Sequence, residues 1–331
     1  MKRFIMLIVL AKCSMWVYGD QISNPEEADA YLAILQINDQ ATLINIVKNS
    51  TNEWMREHAI RKISDQKFLL ETALNDRNVE VSRLAVNGAR RLPIGDAHLP
   101  APGGLNDRAV LEKIAKNVTL DHRVRRAALE RLQFRKYRID RIAADIAEND
   151  HDRELRWYAI EILNGKNQSL LIKIANNDTD NKIRGWAVYF LTEQKRIAEF
   201  AKNDRDEYVR GMAIRKLEDQ ELLEWILKND ESDGVRESVV FRLKNQALLA
   251  EIAKNNKNTK GMRLLAIQQL KDQAALTEIA KNEKDESLRA RAVEFLGDKK
   301  LLEKFAKNDE SEKVREAAEN NLKNGWYKFQ L

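Results

Sequence analysis

Residues 207–230 read EYVRGMAIRKLEDQELLEWILKND, and this stretch recurs in outline along the chain. We align its copies on Arg210, which follows the aliphatic residue of a V-R-x-x-A pattern. Most copies recur at a period of about 26 residues, which predicts an array of stacked units rather than several independent domains. Longer intervals flank the third copy on both sides. The ten aligned positions are Arg56, Ser82, Arg125, Arg156, Arg184, Arg210, Arg236, Arg263, Arg289 and Arg315.

Each copy predicts two helices, which we call helix A and helix B. In helix A, the apolar residues Leu222, Leu223, Ile226 and Leu227 fall on one helical face. Helix B has an apolar face made by positions such as Val209, Ala213, Ile214 and Leu217. The alanine three residues after the anchor is small enough to let neighbouring helices approach closely.

Polar residues mark the beginning and the end of the two helices. An asparagine lies seven or eight residues before every anchor, and we interpret it as a helix stop that adopts the left-handed conformation. Asp206 is a suitable N-cap for helix B. A recurring Asp-Gln pair, such as Asp219-Gln220, predicts a turn and the N-cap of the next helix A.

Composition agrees with a helical array. The 331 residues include only 12 glycines and 4 prolines, while 33% are charged. A unit this short cannot bury its apolar face alone, so stacking must supply the core. The sequence therefore predicts an all-α fold, an α-solenoid of about ten two-helix repeats. The single cysteine excludes an internal disulfide framework.

The pattern D-x-D-x-x-V-R-x-x-A resembles HEAT repeats, in particular the short HEAT-like repeats of the phycobilisome-lyase type. It is seen here as Asp204, Asp206, Val209, Arg210 and Ala213. The resemblance implies a ladder along the stack, formed by an aspartate in the turn and the arginine six residues later. Ser50, Thr119, Lys257 and Glu283 depart from the aspartate position, and Ser82 departs from the arginine position. The matching pairs are Asp150/Arg156, Asp178/Arg184, Asp204/Arg210, Asp230/Arg236 and Asp309/Arg315.

The repeats leave several segments outside the array. Residues 20–40 are expected to form an N-terminal capping helix, and residues 41–92 and 107–325 to hold repeats 1–2 and 3–10. Residues 93–106 are a Pro/Gly-rich insert, which is a binding loop, a hinge or a tolerated surface loop. Polar residues at 319–321 predict a capping face for the last repeat. The tail 326–331 is unassigned.

Residues 1–19 have the pattern of a secretory signal peptide. Lys2 and Arg3 precede an apolar run over residues 4–11, and Val17 and Gly19 suit a cleavage site. Cleavage would lower the formal charge from +5 to +2, because it removes three basic residues and no acidic one. The expected localisation is secreted or periplasmic. A lipoprotein signal ending at Cys13 is an alternative, and no other segment is apolar enough to span a membrane.

The sequence offers no pattern for catalysis, a cofactor or a metal. The four histidines form no metal-binding pair, and phosphate-binding and nucleophile motifs are absent. We therefore expect no catalytic residues, no cofactor and no metal. A nearly neutral mature chain also has no bulk electrostatic attraction to nucleic acid.

Binding of a protein or peptide is the expected function, because helix B lines the concave face in HEAT-type stacks. Helical angles place aromatic residues on the outward side of helix B in four consecutive repeats. The alternative for these rings is packing between repeats. A lyase- or chaperone-type protein acting on another protein, or a structural assembly subunit, remain alternative functions. The chain alone is expected to be monomeric. The candidate partner-binding residues are Trp157, Tyr189, Tyr208, Phe241 and Trp186.

Overall fold

The computed structural model describes residues 33–34, 36–88 and 104–325. The predicted signal peptide with Cys13, most of the expected capping helix, the insert residues 93–103 and the tail 326–331 lie outside the described residues. Of the capping segment, residues 33, 34 and 36 are helical, and Ile34 is buried. The Lys62 ammonium donates to the backbone oxygens of Ile34 and Ile37, which ties this segment to the first repeat.

The described residues form twenty helices in ten pairs and no strand, so the predicted all-α fold is confirmed. Odd-numbered helices correspond to helix A and even-numbered helices to helix B. The helices are α1 (Gln40–Asn49), α2 (Glu53–Ile60), α3 (Gln66–Asn75), α4 (Val79–Asn87), α5 (Arg108–Lys116), α6 (His122–Phe134), α7 (Asp140–Asn149), α8 (Arg153–Leu163), α9 (Gln168–Asn177), α10 (Asn181–Tyr189), α11 (Gln194–Asn203), α12 (Glu207–Ile214), α13 (Gln220–Asn229), α14 (Asp233–Val240), α15 (Gln246–Lys254), α16 (Lys260–Gln269), α17 (Gln273–Asn282), α18 (Glu286–Glu294), α19 (Lys299–Asn308) and α20 (Glu312–Asn324).

The chain divides into two compact units, residues 1–164 with α1–α8 and residues 165–331 with α9–α20. Within each unit, successive pairs stack as in a helical-repeat solenoid. Each A helix packs against the B helix that follows it, and B helices pack against one another more closely than A helices do. The alanine three residues after the anchor, such as Ala213, is fully buried in nine copies, and Val239 takes its place after Arg236. The B helices therefore form the tighter layer in each unit.

The helices begin as predicted and end differently. The Asp206 carboxylate accepts from the backbone N–H of Tyr208 at 2.9 Å, which caps α12. The left-handed conformation predicted for the recurring asparagines is wrong. Asn229, for example, is the last residue of α13, and the residue after it is extended. Its side-chain amide donates to the Trp225 carbonyl at 2.7 Å, so it satisfies a carbonyl of the last helical turn instead.

The anchor arginines connect three segments. The Arg210 guanidinium donates to the backbone oxygen of Asp204 at 3.0 Å and to both carboxylate oxygens of Asp230 at 2.8 and 2.9 Å. The side chain therefore contacts the turn of its own repeat through a backbone oxygen and the turn of the next repeat through a carboxylate. Five other turns show the same backbone contact, in which the arginine six residues later donates to the turn oxygen. The pairs are Arg156 with Asp150, Arg184 with Asp178, Arg236 with Asp230, Arg289 with Glu283 and Arg315 with Asp309.

The carboxylate contacts also occur where the sequence departs from the aspartate position. Glu283 was expected to interrupt the ladder, but its carboxylate accepts from Arg263. At Lys257 no carboxylate is available, and Arg236 instead pairs with Asp233 in its own helix. The carboxylate pairs that anchor arginines make with the next repeat include Arg56–Asp76, Arg125–Asp150, Arg184–Asp204, Arg210–Asp230, Arg263–Glu283 and Arg289–Asp309.

A second ladder, which the sequence did not reveal, is formed by the glutamine at the start of helix A. The Gln194 side chain donates to the Lys216 backbone oxygen and accepts from the Glu218 N–H, both at 3.1 Å. It thereby bridges the turn that follows helix B. Glutamines with the same two kinds of contact are Gln40, Gln66, Gln168, Gln194, Gln220, Gln246 and Gln273.

The last repeat ends on a buried side chain. Glu319 and Asn320 are exposed, as a polar capping face requires, but the expectation for Asn321 is wrong because this residue is fully buried. Its amide nitrogen lies within hydrogen-bond distance of three backbone oxygens near the end of α18. The last helix thus provides a hydrogen-bond donor for backbone carbonyls of the preceding repeat.

The residues on either side of segment 89–103 meet. Leu105 donates its N–H to the Val86 oxygen at 2.9 Å, and Arg131 bonds the oxygens of both Asn87 and Leu105. Gly104 has φ +94°, and a Cβ at this position would lie 2.8 Å from the Gly88 nitrogen. Only glycine fits there, because both the conformation and the space exclude a side chain.

We expect Arg210→Met to lower the free energy of unfolding by roughly 3 kcal/mol, because it leaves the largely buried Asp230 without its partner. The matched control is Arg196→Met in α11, whose pair with Glu199 is about half exposed and should contribute less than about 1 kcal/mol. Urea unfolding of both variants measures the difference. Equal effects would show that the inter-repeat pair has no special role.

The same pair predicts a pH dependence. Burial opposes ionisation of Asp230, but the bonds from Arg210 and from the Ser232 N–H dominate and lower the pKa of the carboxyl. Because the pKa is lower in the folded chain, this stabilisation is present above about pH 4 and is lost as pH falls through the lowered value. Arg210→Met should flatten the acid side of the stability profile, and Arg196→Met should leave its shape unchanged.

Gln194→Ala should destabilise the turn after α12 by about 1–2 kcal/mol, because it leaves the Lys216 oxygen and the Glu218 N–H without their partner. Hydrogen exchange should show faster exchange of the Glu218 amide. The control is Lys195→Ala, a change of an exposed neighbour. Unchanged protection of Glu218 in Gln194→Ala would contradict the assigned role.

Candidate functional site

The five candidate binding residues lie on B helices, but in two different units. Trp157 lies on α8 of the first unit, whereas Trp186, Tyr189, Tyr208 and Phe241 lie on or directly after α10, α12 and α14 of the second. Phe241 is 55% exposed, and the other four side chains are half-buried. The second unit alone therefore brings together four candidates on three successive B helices.

Three aromatic rings make a cluster at the end of α10. The Trp186 ring lies edge-on to Tyr189, with centroids 5.6 Å apart, and nearly parallel to Phe190 at 6.4 Å. Tyr189 and Phe190 are 5.5 Å apart and perpendicular. These contacts fix the rings relative to one another, and each ring keeps part of its surface in solvent. The cluster is a preformed apolar surface.

Tyr208 belongs partly to the packing between repeats. Its ring lies against Gly185 of the preceding B helix, where an added Cβ would come within 2.6 Å of a ring carbon. The Lys182 ammonium lies 3.5 Å from the ring centroid. Burial raises the pKa of the Tyr208 hydroxyl. The glycine thus creates the space in which Tyr208 is half-buried, and the packing alternative describes this residue better than it describes Phe241.

Cationic side chains accompany the rings of the second unit. The Lys216 ammonium lies 5.4 Å from the Tyr189 centroid, and Arg215 is exposed beside it. Arg242 follows Phe241 and donates to the Leu217 backbone oxygen at 3.2 Å. Within the part of the chain that the structure describes, none of these three cations lies within 4.0 Å of a carboxylate. Their charge therefore remains available to a ligand.

Trp157 has a different environment in the first unit. The Arg126 guanidinium lies 5.8 Å from its ring centroid and 4.4 Å from that of Tyr158. Arg126 is also paired with Glu130 at 3.2 Å. The cation at Trp157 is thus neutralised, which distinguishes this site from the one on α10–α14.

One cleft of the first unit is lined by both acidic and basic side chains. The cleft, of about 630 Å³, lies near α5 and α7, and its Glu112 is paired with Arg108. Among the described residues, no group of three His, Cys, Asp or Glu side chains could hold a metal ion. No described helix is both long and apolar enough to cross a membrane. The cleft is lined by Arg108, Glu112, Lys116, Arg138, Asp140, Arg141 and Ile142.

Trp225 is an exposed ring on the A-helix layer, with which the rings of the B helices can be compared. It lies on α13 and is 44% exposed, with the Lys202 ammonium 4.4 Å from its ring centroid. An exposed ring beside a lysine is therefore not peculiar to the B layer. The site on α10, α12 and α14, which we call the α10–α14 site, differs in that rings and unpaired cations recur on three successive B helices.

Comparison with protein-family models and with curated proteins finds no match to this chain.

The contact between Gly185 and Tyr208 yields a matched pair of substitutions. Gly185→Ala should destabilise the chain by about 1–3 kcal/mol, because the new methyl group overlaps the Tyr208 ring. Gly211→Ala should instead stabilise it by up to about 1 kcal/mol, since its nearest neighbour, the Ser238 hydroxyl, is 3.6 Å away. Thermal unfolding compares the two. Adding Tyr208→Ala should relieve the effect of Gly185→Ala, and simple additivity would contradict the proposed contact.

Proposed function

We propose that this chain is a non-catalytic, extracytoplasmic scaffold of HEAT-like repeats that binds a protein or peptide on the B-helix face of its second unit. The observation that carries the proposal is the exposed Phe241 on the same face as the Trp186–Tyr189–Phe190 cluster. Aromatic rings dominate the binding energy of protein interfaces, because they bury large areas at low conformational cost.

The stacked helix pairs support this function. Consecutive B helices present equivalent positions side by side, so a ligand that runs along the stack meets a periodic surface. The Trp186, Tyr189 and Phe190 rings are held by their own contacts, so these side chains lose little freedom on binding. The HEAT-like pattern and the signal-peptide pattern of residues 1–19 support the repeat class and the secreted or periplasmic location that we propose.

The test is affinity capture from an envelope or secretory extract of cells that express the chain, with aromatic variants compared by mass spectrometry. Tyr189→Ser/Phe241→Ser should reduce the recovery of a genuine partner by more than about tenfold. Trp225→Ser is the matched control, because it removes an exposed ring from the A-helix layer. A partner set that is recovered equally by all three proteins would refute the site on α10–α14.

A further inference from the structure

Three successive repeats of the second unit place a ring, a cation and a ring at the same position of helix B. Tyr189, Arg215 and Phe241 each lie five residues after their anchor arginine, and we call them the ring–cation–ring row. Arg215 and Phe241 are exposed, and Tyr189 is half-buried. Lys216 and Arg242 follow one residue later and add two charges to the same edge.

The charge of this row is uncompensated. Lys216 contacts the Tyr189 ring, Arg242 contacts a backbone oxygen, and Arg215 contacts the Met212 sulfur at 4.0 Å. Elsewhere in the second unit, cations are commonly paired with acids, as Arg196 is with Glu199. A ligand that brings a carboxylate to Arg215 would supply the missing partner.

The repeat spacing selects the ligand's conformation. Packed helices lie about 8–10 Å apart, so consecutive members of the row recur at about that interval. A polyproline II segment has three residues per turn and rises 3.1 Å per residue, so its side chains at i, i+3 and i+6 share one side at intervals of about 9 Å. A β-strand has side chains of alternating direction and would turn its i+3 side chain away.

We propose that the ring–cation–ring row binds an extended acidic segment of a partner protein in the polyproline II conformation. The segment carries apolar side chains at i and i+6, which pack on Tyr189 and Phe241, and Asp or Glu at i+3, which pairs with Arg215. This inference rests on the proposed function and adds the chemistry of the partner. A nucleic acid carries a charge at every phosphate, whereas the row places a single cation between two rings, which favours a peptide with one acid between two apolar side chains.

The test uses fluorescence anisotropy with the full chain and a labelled twelve-residue peptide. The peptide has Leu at i and i+6, Glu at i+3 and Pro or Ser between them. A second peptide with the Glu moved to i+2, a third with Lys at i+3 and a single-stranded oligonucleotide are the comparison ligands. The first peptide should bind on the order of tenfold more tightly than the two altered peptides, and its affinity should fall with added salt.

Matched variants distinguish an effect of the row from a general effect of positive charge. Arg215→Gln/Lys216→Gln should weaken binding of the first peptide on the order of tenfold, since it removes the ion pair and the cation beside Tyr189. Lys195→Gln/Lys228→Gln removes the same charge from exposed A-helix positions and should leave binding unchanged. Circular dichroism checks that both variants fold.

The outcomes distinguish this inference from the proposed function. Equal binding of all peptides, equal effects of the two double variants or preferential binding of the oligonucleotide would overturn the acidic-segment assignment. If the peptides fail while capture still depends on Tyr189 and Phe241, the B-helix face binds a partner of different chemistry. If capture is also independent of these rings, both proposals fail.

Discussion

The described structure depends on a buried guanidinium group shared between consecutive repeats. Arg210 is held by a backbone oxygen of one turn and the carboxylate of the next, so its charge is both paired and hydrogen-bonded. A buried charge is tolerable only under those conditions. Arg125, the most deeply buried of these arginines, also donates to the Ala115 oxygen. The need to satisfy this group therefore sets how one helix pair meets the next.

The arginines and glutamines secure opposite ends of helix B. Arg210 bonds the turn that precedes its helix, whereas Gln194 bonds the turn that follows the same helix. Since both contacts are polar and confined to the turns, outward side chains such as Arg215 and Phe241 take no part in either ladder. Those positions can vary between repeats, and in the second unit they hold rings and cations. Residues at such positions can thus differ from repeat to repeat without altering either ladder.

The sequence predicted the all-α fold because its apolar period is that of a helix and the pattern repeats ten times. It failed where the contacting groups are far apart in sequence. The glutamine ladder was missed because the backbone groups that Gln194 contacts lie nearly one repeat away and carry no side-chain signature. Asn321 was assigned to an exposed face, although buried carbonyls of the preceding repeat require its amide.

The candidate site was only partly predictable for a similar reason. Helical angles placed Tyr208 and Phe241 on the same side, but they could not show that Tyr208 lies over a glycine of the preceding helix. One signal was present in the sequence, because Gly185 and Tyr208 are separated by nearly one repeat length. The cations of the row were also visible in the sequence, yet only the structure shows that they lack acidic partners among the described residues.

The meeting of Gly88 and Gly104 has a consequence for how the chain can change. Residues that bracket segment 89–103 are joined directly through Val86, Leu105 and Arg131, and these contacts hold the register of the helices on either side. The entropy of closing a loop rises only with the logarithm of its length, by about 0.6 kcal/mol for each doubling. A change in the number of residues between Gly88 and Gly104 should therefore cost little free energy of folding and leave the spacing of the flanking repeats unchanged.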